Sequence, residues 1–141
     1  MLRKSSLLKV QDVFFTEPSK EHSLKDISRS IRVAHTSVKR CLTELTQQGL
    51  IITEIQIKGK RKFPVYRAKA ADKHFKNYKM LHNIAALLES GLIDFLGDKI
   101  APKAIVLFGS YRRGEDAEDS DIDIFVEGIE EPVGLSRFEK L

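Results

Sequence analysis

Cysteine is almost missing from this 141-residue chain: Cys41 stands alone, so no disulfide can form within it and no cysteine zinc cluster can assemble. The four histidines are scattered without metal-ligand spacing. Proline is scarce too, with four residues, and 42% of the chain is apolar against 31% charged, which excludes a disordered tail. No unbroken apolar run exceeds five residues, the length of Ala104 to Phe108, far below the ~20 that a membrane-spanning helix requires. The basic, partly apolar start, Met1 to Val10, meets Gln11 and Asp12 before a signal-like hydrophobic region can form. These absences predict a cytoplasmic protein with no membrane partner, held by packing alone and sized as one ordinary domain or two small ones.

Charge is plentiful and unevenly placed. The formal charge of +4 divides, on either side of Met80, into +11 for residues 1–80 and −7 for residues 81–141. A basic block beside an acidic one suggests that the first meets a polyanion, while the second binds cations or neutralises the first. Solvated surface is the plain alternative, and the motifs have to decide.

In the basic block, Leu7, Val10 and Phe14 recur at helical spacing, and the helix should end before Pro18. Ser23 is placed to cap a second helix, with Asp26 as a weak capping-box partner and Leu24, Ile27 and Ile31 on the apolar face. A turn over Arg32 to His35 should follow. Thr36 is then expected to cap a third helix in which Val38, Cys41, Leu42 and Leu45 share one side, with Gly49 as a left-handed stop. Cys41 is thereby placed in the core. From Ile51 the period changes to two: Ile51, Thr53, Ile55 and Ile57 alternate with Ile52, Glu54, Gln56 and Lys58. Lys58 to Lys62 should form the turn, and a return strand over Phe63 to Ala68 contains Pro64, which belongs at an edge.

Three short helices followed by a basic hairpin resemble the winged helix-turn-helix fold, with Thr36 to Arg40, Leu42, Leu45 and Gly49 to Ile51 similar to its recognition helix entering the wing. The resemblance covers about half the chain and implies duplex DNA binding. At about 100° per residue, Thr36, Arg40, Thr43 and Gln47 fall opposite the apolar stripe with Ser37 and Lys39 flanking, polar groups that can reach base edges. Lys58, Lys60, Arg61 and Lys62 offer charge to flanking phosphates. His35 could meet a phosphate, although a lone histidine is more often a turn residue. A winged helix used for protein contacts is the competing reading.

Between Ala71 and Leu96, Phe75, Tyr78, Leu81, Ile84, Ala85, Leu88, Leu92, Phe95 and Leu96 follow three-to-four spacing interrupted by Gly91, which predicts one long helix or two. The apolar side could pack within the chain, the default, or on a second copy to form a homodimer that pairs two DNA-reading units.

In the acidic block, the apolar strand Ala104 to Phe108 runs into Gly109-Ser110-Tyr111-Arg112-Arg113-Gly114, then an acidic loop, then Ser120-Asp121-Ile122-Asp123. Asp121 and Asp123, two apart on a strand, should direct both carboxylates to one face while Ile122 and Ile124 point into the core. Two hard oxygen ligands of this kind suit Mg²⁺ completed by substrate phosphates. Gly109-Ser110 should open a helix whose free N–H groups favour phosphate.

This constellation closely resembles the polymerase-beta-type nucleotidyltransferase superfamily, in particular its minimal prokaryotic members, through Gly109-Ser110, Arg113-Gly114 and Ser120-Asp121-Ile122-Asp123; Arg112 stands where a small residue is common. The resemblance implies transfer of a nucleoside monophosphate from a nucleoside triphosphate to an acceptor hydroxyl. Asp121 and Asp123 would be the catalytic, metal-holding carboxylates for Mg²⁺ or Mn²⁺, and Gly109, Ser110, Arg113, Gly114 and Ser120 the nucleotide contacts. A third carboxylate, normal in the superfamily on a later strand, is not found: after Val126 come Glu127 to Glu131, Pro132 and an expected final helix, Val133 to Leu141. Glu127, Glu130, Glu131 and Glu139 do not occupy the expected setting. A fragment of a longer chain, a completing second subunit and a domain that has lost catalysis are the three readings left open.

The expected architecture is α+β: a winged helix-turn-helix DNA-binding domain over residues 1–70, connecting helix or helices over 71–98, and the N-terminal part of a small, incomplete nucleotidyltransferase-type α/β domain over 99–141. The leading expectation is a DNA-binding protein that binds Mg-nucleotide. The alternative is a transcriptional regulator or antitoxin-like protein whose transferase-like half senses a nucleotide or contacts a partner, such as the HEPN-type toxins that often accompany minimal nucleotidyltransferases.

Overall fold

The computed structural model describes residues 4–128, 132–139 and 141. The sequence expectations for Met1 to Arg3, Glu130 and Glu131 lie outside the described residues. The chain forms two compact units, Met1–Lys76 and Asn77–Leu141. Each contains helices and a small antiparallel sheet.

The first unit begins with α1 (Ser6–Thr16), capped by Ser5, whose side chain accepts from Leu8 N. α2 (Leu24–Ile31) starts at Ser23, whose hydroxyl accepts from Asp26 N at 3.1 Å and donates to the Asp26 carboxylate at 2.6 Å. The two predicted capping partners thus meet side chain to side chain. Arg32 ends α2 in the left-handed region, and α3 (His35–Gln47) starts two residues earlier than expected. Its cap is Ala34, with no side-chain bond, so Thr36 is not the cap and lies within the first turn. Gly49 supplies the left-handed stop with φ +75°, and Leu50 N closes back on Leu45 O.

β1 (Glu21–His22), β2 (Ile51–Lys58) and β3 (Arg61–Ala68) form a sheet in the order β1-β3-β2. The hairpin turn is tighter than the sequence suggested. Lys58 pairs with Arg61, leaving only Gly59 and Lys60 between the strands, and Gly59 takes φ +60°, the conformation that a two-residue hairpin needs at its first position. Lys58, Arg61 and Lys62 therefore belong to strands. Pro64 sits on the central strand, yet β1 reaches only Tyr66 and Arg67, so the proline interrupts no bond on that side. The hairpin outruns the core: Ile51 is buried, whereas Ile55 and Ile57 are exposed. Val10, Phe14, Ile27, Val38, Leu42 and Leu45 pack the centre of this unit.

α4 (Lys73–Glu89) and α5 (Leu92–Ile100) are two helices, separated at Gly91 with φ +77°. Asp72 opens α4 by accepting from His74 N at 2.8 Å. The buried row of α4 differs from the expected one. Tyr78, Leu81 and Leu88 face solvent, with Leu81 at 59% exposure, and the inward positions are Phe75, Lys79, Asn83 and Leu87. Spacing of four along the helix sets this row, and two of its members are polar.

In the second unit β4 (Ala104–Phe108) leads through the five-residue α6 (Gly109–Arg113) to β5 (Asp123–Glu127), antiparallel to β4. Ile105, Leu107, Ile124 and Val126 turn toward Leu87, Leu92 and Leu96. Val106, Phe108 and Phe125 occupy the other face and are exposed, so this sheet is covered on one side only among the described residues. The expected final helix is reduced to a single 3-10 turn, Ser136–Phe138, which docks through Phe138 and Arg137 against the Phe95 ring. Gly134, inside the expected span, disfavours a longer helix.

Candidate functional site

The first candidate surface lies on α3 and the hairpin. Because Val38, Cys41, Leu42 and Leu45 are buried, the opposite side of α3 is turned outward: Thr36, Lys39, Arg40, Thr43 and Gln47 are exposed and Ser37 is half-buried. Thr43 Oγ1 donates to Lys39 O, a bond within the helix that fixes its rotamer. His35, the first residue of α3, is also exposed. On the hairpin, Lys58, Lys60, Arg61 and Lys62 are all exposed. Lys58 and Arg61 stand directly opposite each other in the ladder, a like-charge pair that costs stability unless an anion lies nearby. Lys58 Nζ lies 5.4 Å from the centre of the Phe63 ring. The acids of this sheet gather lower down, where Glu21 and Glu54 bind Arg67.

The second candidate site is built at the junction of β4, α6 and β5. The ladder ends at the pair Phe108 and Asp123, because the next residue, Gly109, turns away with φ +76°. An added Cβ at Gly109 would overlap Asp123 Oδ2 and lie 3.0 Å from its Cγ. The carboxylate of Asp123 thus rests on the bare backbone of the Gly-Ser turn. Asp121 departs from expectation: β5 starts only at Asp123, so Asp121 lies before the strand, exposed, and pairing does not impose a common face on the two acids. The reason is the same turn, which removes the strand that Asp121 would have paired with.

The other predicted contacts are distributed around this junction. Ser110, in the first turn of α6, is half-buried. Arg113 binds Glu115 at 2.7 Å, and Gly114 is the buried left-handed cap of α6, with φ +67°. Ser120 closes a turn: its hydroxyl accepts from Ala117 N and its own N–H donates to Ala117 O. Among the described residues, no group of three or more His, Cys, Asp or Glu could hold a metal ion. Of the two predicted ligands, Asp123 is seated at the junction and Asp121 lies two residues before it, exposed.

Sequence reasoning missed a polar cluster behind α6. Lys79 and Asn83, each 2% exposed, project from successive turns of α4 to Asp116, which is 8% exposed. Lys79 Nζ lies 2.8 Å from Asp116 Oδ2, and Asn83 Nδ2 donates to Asp116 Oδ1 at 2.7 Å and to Tyr111 O at 2.8 Å. The Tyr111 hydroxyl donates back to Asn83 O. Burial pushes the Tyr111 hydroxyl above the ordinary tyrosine value, and the charge of Asp116 adds to this. The signal lay in the spacing: Lys79 and Asn83 fall in line with Phe75 and Leu87 on the row that an apolar helix face would bury.

With this geometry in view, one comparison bears directly on the junction. Residues 89–140 match the family described as nucleotidyltransferase domain. Three proteins of Methanocaldococcus jannaschii, each carrying the name "Putative protein adenylyltransferase", are similar over short stretches. MJ1379 is 66% identical over 32 residues (23% of this chain, 32% of the relative), and MJ1215 is 60% identical over 37 (26% and 43%). MJ0128 is 52% identical over 44 residues (31% and 45%). The matched stretch spans less than half the length of each of these relatives. Two solved structures also resemble the chain. A "Possible transcriptional regulator" of Methanosarcina mazei is 19% identical, with TM-score 0.45 over 69% of this chain and 76% of that one. The "putative transcriptional regulator TA0346" of Thermoplasma acidophilum is 18% identical, with TM-score 0.49 over 66% and 93%. No helix of the described residues is long and apolar enough to cross a membrane.

Proposed function

We propose that the second unit binds a nucleoside triphosphate with a divalent cation and transfers its nucleoside monophosphate to an acceptor hydroxyl, and that the first unit binds duplex DNA. One observation carries the transfer reading: within a stretch that matches nucleotidyltransferase domains, Asp123 is seated on Gly109 at the start of the Gly-Ser turn. The names of the short-range relatives favour ATP as donor and a protein side chain as acceptor. In that reaction the acceptor oxygen bonds to the α-phosphorus, the bond to the β-phosphate bridge breaks, pyrophosphate leaves and the hydroxyl proton is released.

The donor set fits a hard cation, since Asp121 and Asp123 are oxygen ligands and the side-chain-free Gly109 leaves room where a Cβ would intrude. Mg²⁺ or Mn²⁺, held by these two residues, would neutralise charge on the phosphate oxygens. Gly109 and Ser110 would receive phosphate on backbone N–H groups, and Ser120 and Gly114 would shape the loop around it. Arg113, now bound to Glu115, would exchange that partner for the nucleotide.

The DNA reading assigns the first unit to the winged helix-turn-helix fold. It rests on the exposed row of α3 and on the opposed cations of the hairpin, which duplex phosphate would relieve. Arg40 and Gln47 would reach base edges, with Thr36, Ser37, Lys39 and Thr43 beside them. Lys58, Lys60, Arg61 and Lys62 would meet phosphates.

A second reading has its own observation: among the described residues no group of three or more His, Cys, Asp or Glu could hold a metal ion, and a unit of that kind would bind nucleotide without turnover, as a sensor in a regulator. A radiolabelled-ATP assay with Mg²⁺ separates the two. Label transferred by the wild type and lost in Asp121→Asn/Asp123→Asn supports the enzyme, with a fall on the order of 100-fold expected from losing metal ligands. Binding without transfer supports the sensor, and absence of both overturns the nucleotide reading.

A further inference from the structure

We infer that Lys79, Asn83 and Asp116 are positioning residues for the nucleotide site, in that two successive turns of α4 clamp the loop that carries Asp121 and leads into Asp123 back to the Gly-Ser turn. The inference rests on the nucleotide reading above and deepens it. Seven residues, Glu115 to Asp121, make up most of this loop, and five of them are acidic. Such a segment repels itself and would spread into solvent unless something holds it. Asp116 is the one buried residue of the seven. Both of its carboxylate oxygens are engaged from α4, by Lys79 Nζ at 2.8 Å and Asn83 Nδ2 at 2.7 Å.

The same Asn83 amide group donates to Tyr111 O at 2.8 Å, so one side chain ties α6 and the loop to a common helix. Around the anchor, Glu115 N bonds Ser110 O, and Ala117 and Ser120 close their own turn. The loop is therefore fixed at one end by α6, close to that end by the clamp, and at its far end by the entry of Asp123 into β5. Burying a charge is costly unless it is paired and hydrogen-bonded, and here both conditions are met; an apolar contact in the same place would supply neither the directed bonds to Lys79 and Asn83 nor the hold on the loop that they give. A paired carboxylate fixes the orientation of Asp116, and with it the path of the residues leading to Asp121.

The test uses the full chain in four forms: wild type, Asp116→Asn, Asp116→Glu and Lys79→Met/Asp116→Leu. The double variant removes both charges together, a change that buried pairs often tolerate. Hydrogen exchange is followed at residues 114–123, with α5 and β4 as internal references, and Mn²⁺-ATP affinity is measured by calorimetry. The clamp predicts exchange at least tenfold faster at 114–123 in Asp116→Asn and in the double variant, with α5 and β4 unchanged. It also predicts at least tenfold weaker Mn²⁺-ATP binding in both, with partial recovery in Asp116→Glu. Unaltered loop exchange, equal loss of protection throughout the unit, or wild-type affinity in both variants would overturn it. A wild type that fails to bind Mn²⁺-ATP would overturn the nucleotide reading instead, and the exchange pattern would then decide the clamp by itself.

Discussion

Gly109 and Asp123 share a space that holds only one side chain: a methyl group on Gly109 would collide with the Asp123 carboxylate. The backbone at Gly109 is also left-handed, at φ +76°, a region that costs an L-residue roughly 1–2 kcal/mol. Sterics and backbone therefore act on the same position.

Gly109→Ala is accordingly expected to lower stability by about 1–2 kcal/mol from the backbone alone and to displace Asp123. Urea unfolding measures the first effect and Mn²⁺ binding the second. Binding in the variant as tight as in the wild type would show that the seat of Asp123 on the turn does not matter for the site.

On DNA, Arg40→Ala should narrow the gap between specific and nonspecific affinity by about 1–3 kcal/mol, because a base-edge contact is lost. Replacing Lys60 and Arg61 by alanine should instead weaken binding to all sequences and reduce the slope of log K against log salt by about two. Fluorescence anisotropy across a salt series distinguishes these outcomes. A salt-independent affinity would remove the hairpin from the interface.

Alkaline pH should destabilise both units. Burial raises the pKa of Tyr66 and of Cys41 in the first unit, and of Tyr111 in the second, with Arg40 partly opposing the shift at Cys41. Each group holds its proton more tightly folded than unfolded, so the stability it contributes is complete below the unfolded pKa and is lost as pH rises through the folded one. The loss begins near the ordinary values, about 8.5 for cysteine and about 10 for tyrosine. Thermal unfolding at pH 8, 10 and 11 should show a falling midpoint, and Tyr66→Phe should flatten the fall. A midpoint independent of pH over this range would contradict the burial of all three groups.

Much of the local structure was legible in the chain itself. Gly49 and Gly91 stand where the backbone turns left-handed, and Ser23 with Asp26 marks the start of α2, because such signals act over four or five residues and need no partner from afar. The row Val38, Cys41, Leu42 and Leu45 gave the buried side of α3, and hence its exposed polar side, for the same reason.

What was misread depended on distant residues. Helical spacing marked Tyr78, Leu81 and Leu88 as inward, yet α4 buries Lys79 and Asn83, since Asp116, more than thirty residues later in the chain, supplies the charge and acceptor that make their burial tolerable. Asp121 was assigned to a strand from alternation alone, and the strand begins later because its ladder partner ends at Phe108. Periodicity and capping belong to consecutive residues and were settled by the sequence; pairing of a buried charge and the length of a ladder need two separated segments to meet, and only the tertiary structure decided them.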